Sequence, residues 1–310
     1  MRHIFKNRLG TVRSGWLIAI CEGSNYALTW AATFILFAVL RAVLTWTGDL
    51  DPVTDAGSPL VNWLDETGLP VILQILSDVL MIAVPLAMWR IMRYRYGELG
   101  LKALRGAPLR DGLLGLALGF FNCTLIFCVL LLTGNCAVTS AGLRISPMWL
   151  AWVFALVLVG VAEEVMNRGF IMSVLRRTNR PWVIMLVPSL IFGMMHLANP
   201  GVTALSVVNI VLAGILFSYM YYKSGHLWMG IGYHITWNIF QSTVYGMPCS
   251  GLVFPSLVSC EYPAANLLNG GAFGIEGGLL TTLVQLLTLA AVHLYYRNSG
   301  YRFLPSAPQA

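Results

Sequence analysis

Apolar positions in this chain are gathered into long runs separated by short polar joints. Eight runs approach the roughly 20 residues a helix needs to cross a bilayer core, near 24–46, 68–90, 112–133, 149–172, 181–198, 202–222, 227–245 and 277–296. They are far longer than the alternating segments of about ten residues in a membrane β-barrel. In lipid every backbone polar group has to be satisfied within its own segment, which selects helices. The pattern predicts an all-α fold, a polytopic membrane helical bundle of about eight transmembrane helices. No stretch divides it into domains and no repeat recurs at a fixed period. The expected layout is an N-terminal segment over 1–23, a bundle over 24–298 and a tail over 299–310.

Composition agrees with the pattern. Of 310 residues 57% are hydrophobic and 10% charged, and the mean hydropathy of +0.73 excludes an ordinary soluble domain. Charge placement adds orientation, because basic loops tend to stay in the cytoplasm. With both termini inside, the inner set is Arg2, Lys6, Arg8 and Arg13, then the six basic residues from Arg90 to Arg110, then Arg176, Arg177 and Arg180, then Lys223, Arg297 and Arg302. Only Arg144 falls outside, while Arg41 and Arg168 fall within spans. The first outer loop, from about 47 to 67, is acidic. The reading is a multi-pass protein of the cell membrane, surrounded by lipid, with both termini cytoplasmic. The net charge of +6 marks topology and not nucleic acid, since the basic residues are spread over short loops. No small-residue cleavage site follows a short apolar region near the start, so the first helix is expected to be retained.

The six cysteines include no Cys-x-x-Cys pair, which argues against zinc fingers and redox motifs. Cys249 and Cys260 share one outer loop, where they either bridge under oxidising conditions or remain two thiols. Gly112, Gly115 and Gly119, at helical spacing in the third span, suit close helix contact.

The runs are broken by a few ionisable residues, each costing about 2.5–3.5 kcal/mol at a helix centre and therefore a functional-site hypothesis. In VGVAEEVMNRGF, Glu164 and Arg168 are four apart and meet on one helix face, the acid N-terminal to the base. Glu163 points about 100° away and has no basic partner at helical spacing in its own span. It has to find one on another helix or take up a proton. His196 ends the fifth run, and His234 and Asn238 are four apart in the seventh. Counted at about 1.5 Å per residue from the inner helix ends, these residues lie at similar depth and can line one cavity. Glu163 with His196 suits removal of a proton from water, and His234 with Asn238 suits donation to a carbonyl oxygen gaining charge. Alternatively Glu163, His196 and His234 hold a divalent metal such as Zn²⁺ with water in an open position. Neither a Gly-x-Ser-x-Gly elbow nor a His-Glu-x-x-His helix is present. Two other classes fit the same polar set: a proton-coupled transporter, and a scaffold or immunity protein that binds without cutting. Bland readings suit Asp78 as a polar helix contact, Arg41 as a snorkelling side chain and His293 as part of an aromatic belt with Tyr295 and Tyr296.

The ordered set Glu163-Glu164-x-x-x-Arg168-Gly169, Phe192-x-x-x-His196 and His234-x-x-x-Asn238, all in apolar runs, resembles the CPBP family, the CAAX-type and bacteriocin-processing membrane proteases also called the Abi family. The resemblance centres on 149–245 as catalytic core. It implies an intramembrane endopeptidase acting on a membrane-associated peptide or lipidated protein, with Glu163 activating water, His196 as its partner, His234 and Asn238 stabilising the oxyanion, and Glu164 with Arg168 as a supporting ion pair. One position departs from the family pattern: Asn167 stands where a large apolar residue is usual.

Overall fold

A computed structural model describes residues 2–5, 12–49, 68–142 and 145–304. Most of the acidic first loop, Arg144 and the last residues of the tail lie outside them. After a one-turn helix, Arg2–Phe5, come α1 (Ser14–Thr47), α2 (Leu69–Ile91), α3 (Ala107–Leu132), α4 (Pro147–Glu164), α5 (Pro181–Met195), α6 (Ala204–Ser224), α7 (Trp228–Asn238) and α8 (Leu279–Tyr296). Among the described residues six helices are long and apolar enough to cross a membrane, and α5 is apolar but shorter. The remaining segment, α7, is prolonged by a π-helical stretch, Ile239–Val244. The protein is an all-α polytopic membrane bundle.

Several ends are written in the sequence. Ser146 accepts the Trp149 amide at 3.1 Å ahead of Pro147, a proline at the first helical position where its missing N–H costs nothing. Thr203 and Ser206 close a reciprocal capping box on α6. α1 stops at Gly48, whose φ of 79° lets the chain turn back onto the Leu44 and Thr45 carbonyls. This helix begins at Ser14, ahead of the expected boundary at 24, because Glu22 and Asn25 interrupt the apolar run but not the helix. Only 6% of its most apolar window is buried, which places it on the lipid-facing rim.

The interior is denser. α3 and α7 approach so closely that a Cβ on Gly115 would lie 2.1 Å from the Met229 carbonyl oxygen, and one on Gly119 2.3 Å from that of Tyr233. The glycine row of the third span is thus a packing seam. One apolar cluster joins α1, α2 and α5 to Phe170 and Met172, and a second joins α3, α6, α7 and α8 through Phe127, Phe217 and Trp237. At one end of the bundle the α3–α4 connection pairs with the long α7–α8 loop as a two-stranded antiparallel sheet, β1 (Ala137–Ala141) with β2 (Val258–Glu261).

Candidate active site

α4 does not stop at its acid pair. From Val165 to Met172 the chain continues as a π-helix with all eight residues buried, and the widened turn is a local irregularity often found at functional sites. It carries Arg168 inward. The Arg168 Nη1 lies 3.0 Å from Glu164 Oε1, with both side chains at most 1% exposed. The guanidinium also stands over the rings of Phe192 and Phe217, 4.6 and 5.3 Å from their centroids, a contact strengthened by loss of water. Asn167, the unusual residue, donates its amide to the Glu163 carbonyl oxygen at 3.0 Å, which ties the start of the π stretch to the last turn of α4.

α7 crosses this segment and supplies the partner that Glu163 lacks in its own helix. His234 Nδ1 lies 3.3 Å from Glu164 Oε1 and its Nε2 3.5 Å from Glu163 Oε2. The ring stacks on Phe217 at 5.4 Å. Glu164 is sealed, whereas the Glu163 side chain keeps 16% exposure. At 3.5 Å the contact to Glu163 is longer than a full hydrogen bond, so the Nε2 edge retains donor capacity.

Glu163, His196, His234 and Asn238 all line one cavity of about 230 Å³. The ring nearest Glu163 is that of His234; His196 stands at the end of α5 with Nδ1 2.8 Å from the Phe192 carbonyl oxygen and its face set edge-on to Phe192. A donated Nδ1–H there leaves Nε2 with its lone pair. Asn238 ends α7, and its Oδ1 accepts the Cys249 thiol at 3.7 Å, which frees the amide N–H₂ for another acceptor.

Part of the wall was not foreseen. Gln74 of α2 lines the cavity and donates to the buried Asp78 at 3.0 Å, so Asp78 is a polar helix contact behind the wall. The α7–α8 loop folds over the opening and contributes Cys249, Ser250 and Glu276. Glu276 receives the Ser250 hydroxyl at 2.9 Å and its backbone N–H at 2.5 Å, while Asn199 donates to the Ser250 carbonyl at 2.9 Å. Burial holds the Glu276 carboxyl above the usual carboxylate range, against the pull of the Ser250 bonds. Gly251 makes this fold-over feasible, since its φ is +82° and a Cβ there would lie 2.0 Å from the Pro200 carbonyl oxygen. In sequence Glu276 is concealed by the glycines around it, which read as a turn.

Among the described residues no group of three or more His, Cys, Asp or Glu side chains is disposed to hold a metal ion.

Fold and cavity define the class, a polytopic helical membrane protein enclosing a pocket lined by carboxylates and imidazoles. Comparison with known proteins supplies the family. Residues 145–240 match the family model of type II CAAX prenyl endopeptidases, Rce1-like, a segment containing all eight motif residues. The match over this segment supports the CAAX protease (CPBP) family and indicates a membrane peptidase. No curated protein and no solved structure matches it.

Proposed function

We propose that the chain is an endopeptidase that removes a short C-terminal peptide from a lipidated protein of CAAX type, by water activated at Glu163, with both of its own termini on the cytoplasmic side. The observation that carries this is one acid of the pair left open to the cavity while its neighbour is sealed by Arg168. Glu163 takes the proton of water, with His196 Nε2 as the second acceptor. The hydroxide attacks the scissile carbonyl carbon. The developing oxyanion receives hydrogen bonds from the Asn238 amide and His234 Nε2–H, which Glu164 orients through Nδ1. The proton held by Glu163 then passes to the leaving amine as the C–N bond breaks.

The apolar cavity walls, with Trp152, Leu156 and Phe254 among them, suit a lipidated chain entering from the bilayer. The test uses full-length protein in liposomes with a peptide ending in a farnesylated cysteine and three further residues, release of the terminal tripeptide being followed by mass spectrometry. Turnover should fall about 10²–10⁴-fold in Glu163→Gln and in His196→Ala, and a divalent-metal chelator should leave it unchanged. Undiminished release in Glu163→Gln would end the proposal.

A further inference from the structure

Two thiols from distant parts of the chain meet at the end of the bundle that carries the cap. Cys136 closes the turn after α3, and Cys260 lies in the middle of β2. The register of β1 against β2 sets Val138 opposite Cys260 and Ala137 opposite Glu261, which brings residue 136 alongside the same strand. The two thiols are near enough to perturb one another, and neither is in a disulfide. Cys249, the other cysteine of the loop, faces Asn238 and Glu276 inside the cavity.

The contact is well braced. Asn266 and Asn269 donate to the side chain and backbone of Asn135, at 2.7 and 3.1 Å. Gly142 donates to the Leu257 carbonyl and Leu257 to that of Thr243. The α3–α4 connection therefore holds the loop whose preceding residues, Cys249 to Phe254, form the cavity wall. The neighbouring Cys260 thiol lowers Cys136 from its ordinary value, while Cys136 and burial raise Cys260. That asymmetry makes Cys136 the attacking sulfur.

We propose that Cys136 and Cys260 are a disulfide site, bridged outside the cytoplasm, and that the bond clamps the α7–α8 loop over the cavity. The location rests on the orientation proposed above, in which this end lies opposite the basic loops; oxidising compartments are where such bonds persist. The oxidant is a disulfide-bearing molecule, either an exchange protein or oxidised glutathione. The Cys136 thiolate attacks one sulfur of that disulfide and expels the other as a thiolate. The Cys260 sulfur then attacks the Cys136 sulfur of the mixed disulfide, completing the bridge and expelling the first oxidant sulfur. Two electrons and two protons leave the protein with the reduced oxidant.

The experiment is a disulfide map of the full-length protein, trapped with N-ethylmaleimide in intact cells and digested without reductant. A peptide pair joined through Cys136 and Cys260 is expected, with Cys249 recovered as a thiol. In Cys136→Ser, Cys260 should be recovered as a thiol too. Reduction of the wild type should speed chymotryptic cutting within 246–278 several-fold. Recovery of Cys136 and Cys260 as alkylated thiols, or a bridge from Cys260 to Cys249, would overturn the site, and unchanged cutting after reduction would overturn the clamp. None of these readouts depends on peptide hydrolysis, so the peptidase assignment and the disulfide stand or fall separately.

Discussion

Among its described residues this bundle buries two clusters of carboxylate and imidazole, and they differ in one respect. Near the basic end, Asp111 of α3 receives the hydroxyls of Tyr295 at 2.7 Å and of Tyr296, and lies 3.3 Å from His226 Nε2 and 3.4 Å from Arg110 Nε. Both of its oxygens are engaged, and it does not line the cavity of the candidate site. At the candidate site two adjacent acids share one imidazole, and only Glu164 is comparably enclosed. Glu163 faces open space with one long contact. Burial of an acid beside a histidine is therefore not the mark of a reaction site. The mark is a lone pair left over, next to room for a water and a substrate. A saturated cluster joins helices; an unsaturated one can exchange a proton.

The largest effect separates the two clusters by activity. Glu163→Gln keeps the size of the side chain and removes the base, so turnover should drop about 10²–10⁴-fold while the thermal midpoint of the purified protein stays within a degree or two of wild type, as for other substitutions off the packed core. A matching loss of stability would place Glu163 with Asp111, as a structural acid. Next in size is Arg168→Met, which leaves Glu164 charged and buried beside a neutral chain. Removing one partner of a buried pair typically costs about 3–5 kcal/mol, read here as a lowered denaturation midpoint in detergent. The loss should shrink in Arg168→Met combined with Glu164→Gln, since no uncompensated charge then remains.

Asp111→Ala should be smaller and purely structural, at about 3 kcal/mol for orphaned buried hydroxyl donors, with turnover per folded molecule unchanged. A drop in turnover beyond the loss of folded protein would show that the saturated cluster also communicates with the cavity.

The comparison also shows what could be read before any coordinates. Runs of apolar residues located the eight longer helices among the described residues, and the i, i+4 spacing identified the Glu164–Arg168 pair, because both signals depend only on helix period. The need of Glu163 for a partner on another helix was legible too, from the absence of a base at helical spacing. The identity of that partner was not: whether His196 or His234 approaches depends on how α4, α5 and α7 cross, and the π stretch 165–172 shifts that crossing by a turn geometry no periodicity reveals. The Asp111 cluster escaped for a similar reason, since its members come from three places near helix ends. Gly115 and Gly119 were legible as a seam because small residues act through local spacing alone.

Glu276 is the sharpest case between the two kinds of acid and carries the smallest effect. It lines the cavity as Glu163 does, yet Ser250 occupies one of its oxygens twice over, as the tyrosines occupy Asp111. If saturation decides the role, Glu276 positions the loop and does not handle protons. Glu276→Gln leaves an oxygen to accept from Ser250 but removes the charge, and a hydrogen bond to a charged group exceeds a neutral one by about 1 kcal/mol. The expected result is a rise in KM of about fivefold, with kcat and the pH dependence of kcat held at wild-type values. A loss confined to kcat would move Glu276 across the divide, making it a second acid of the reaction.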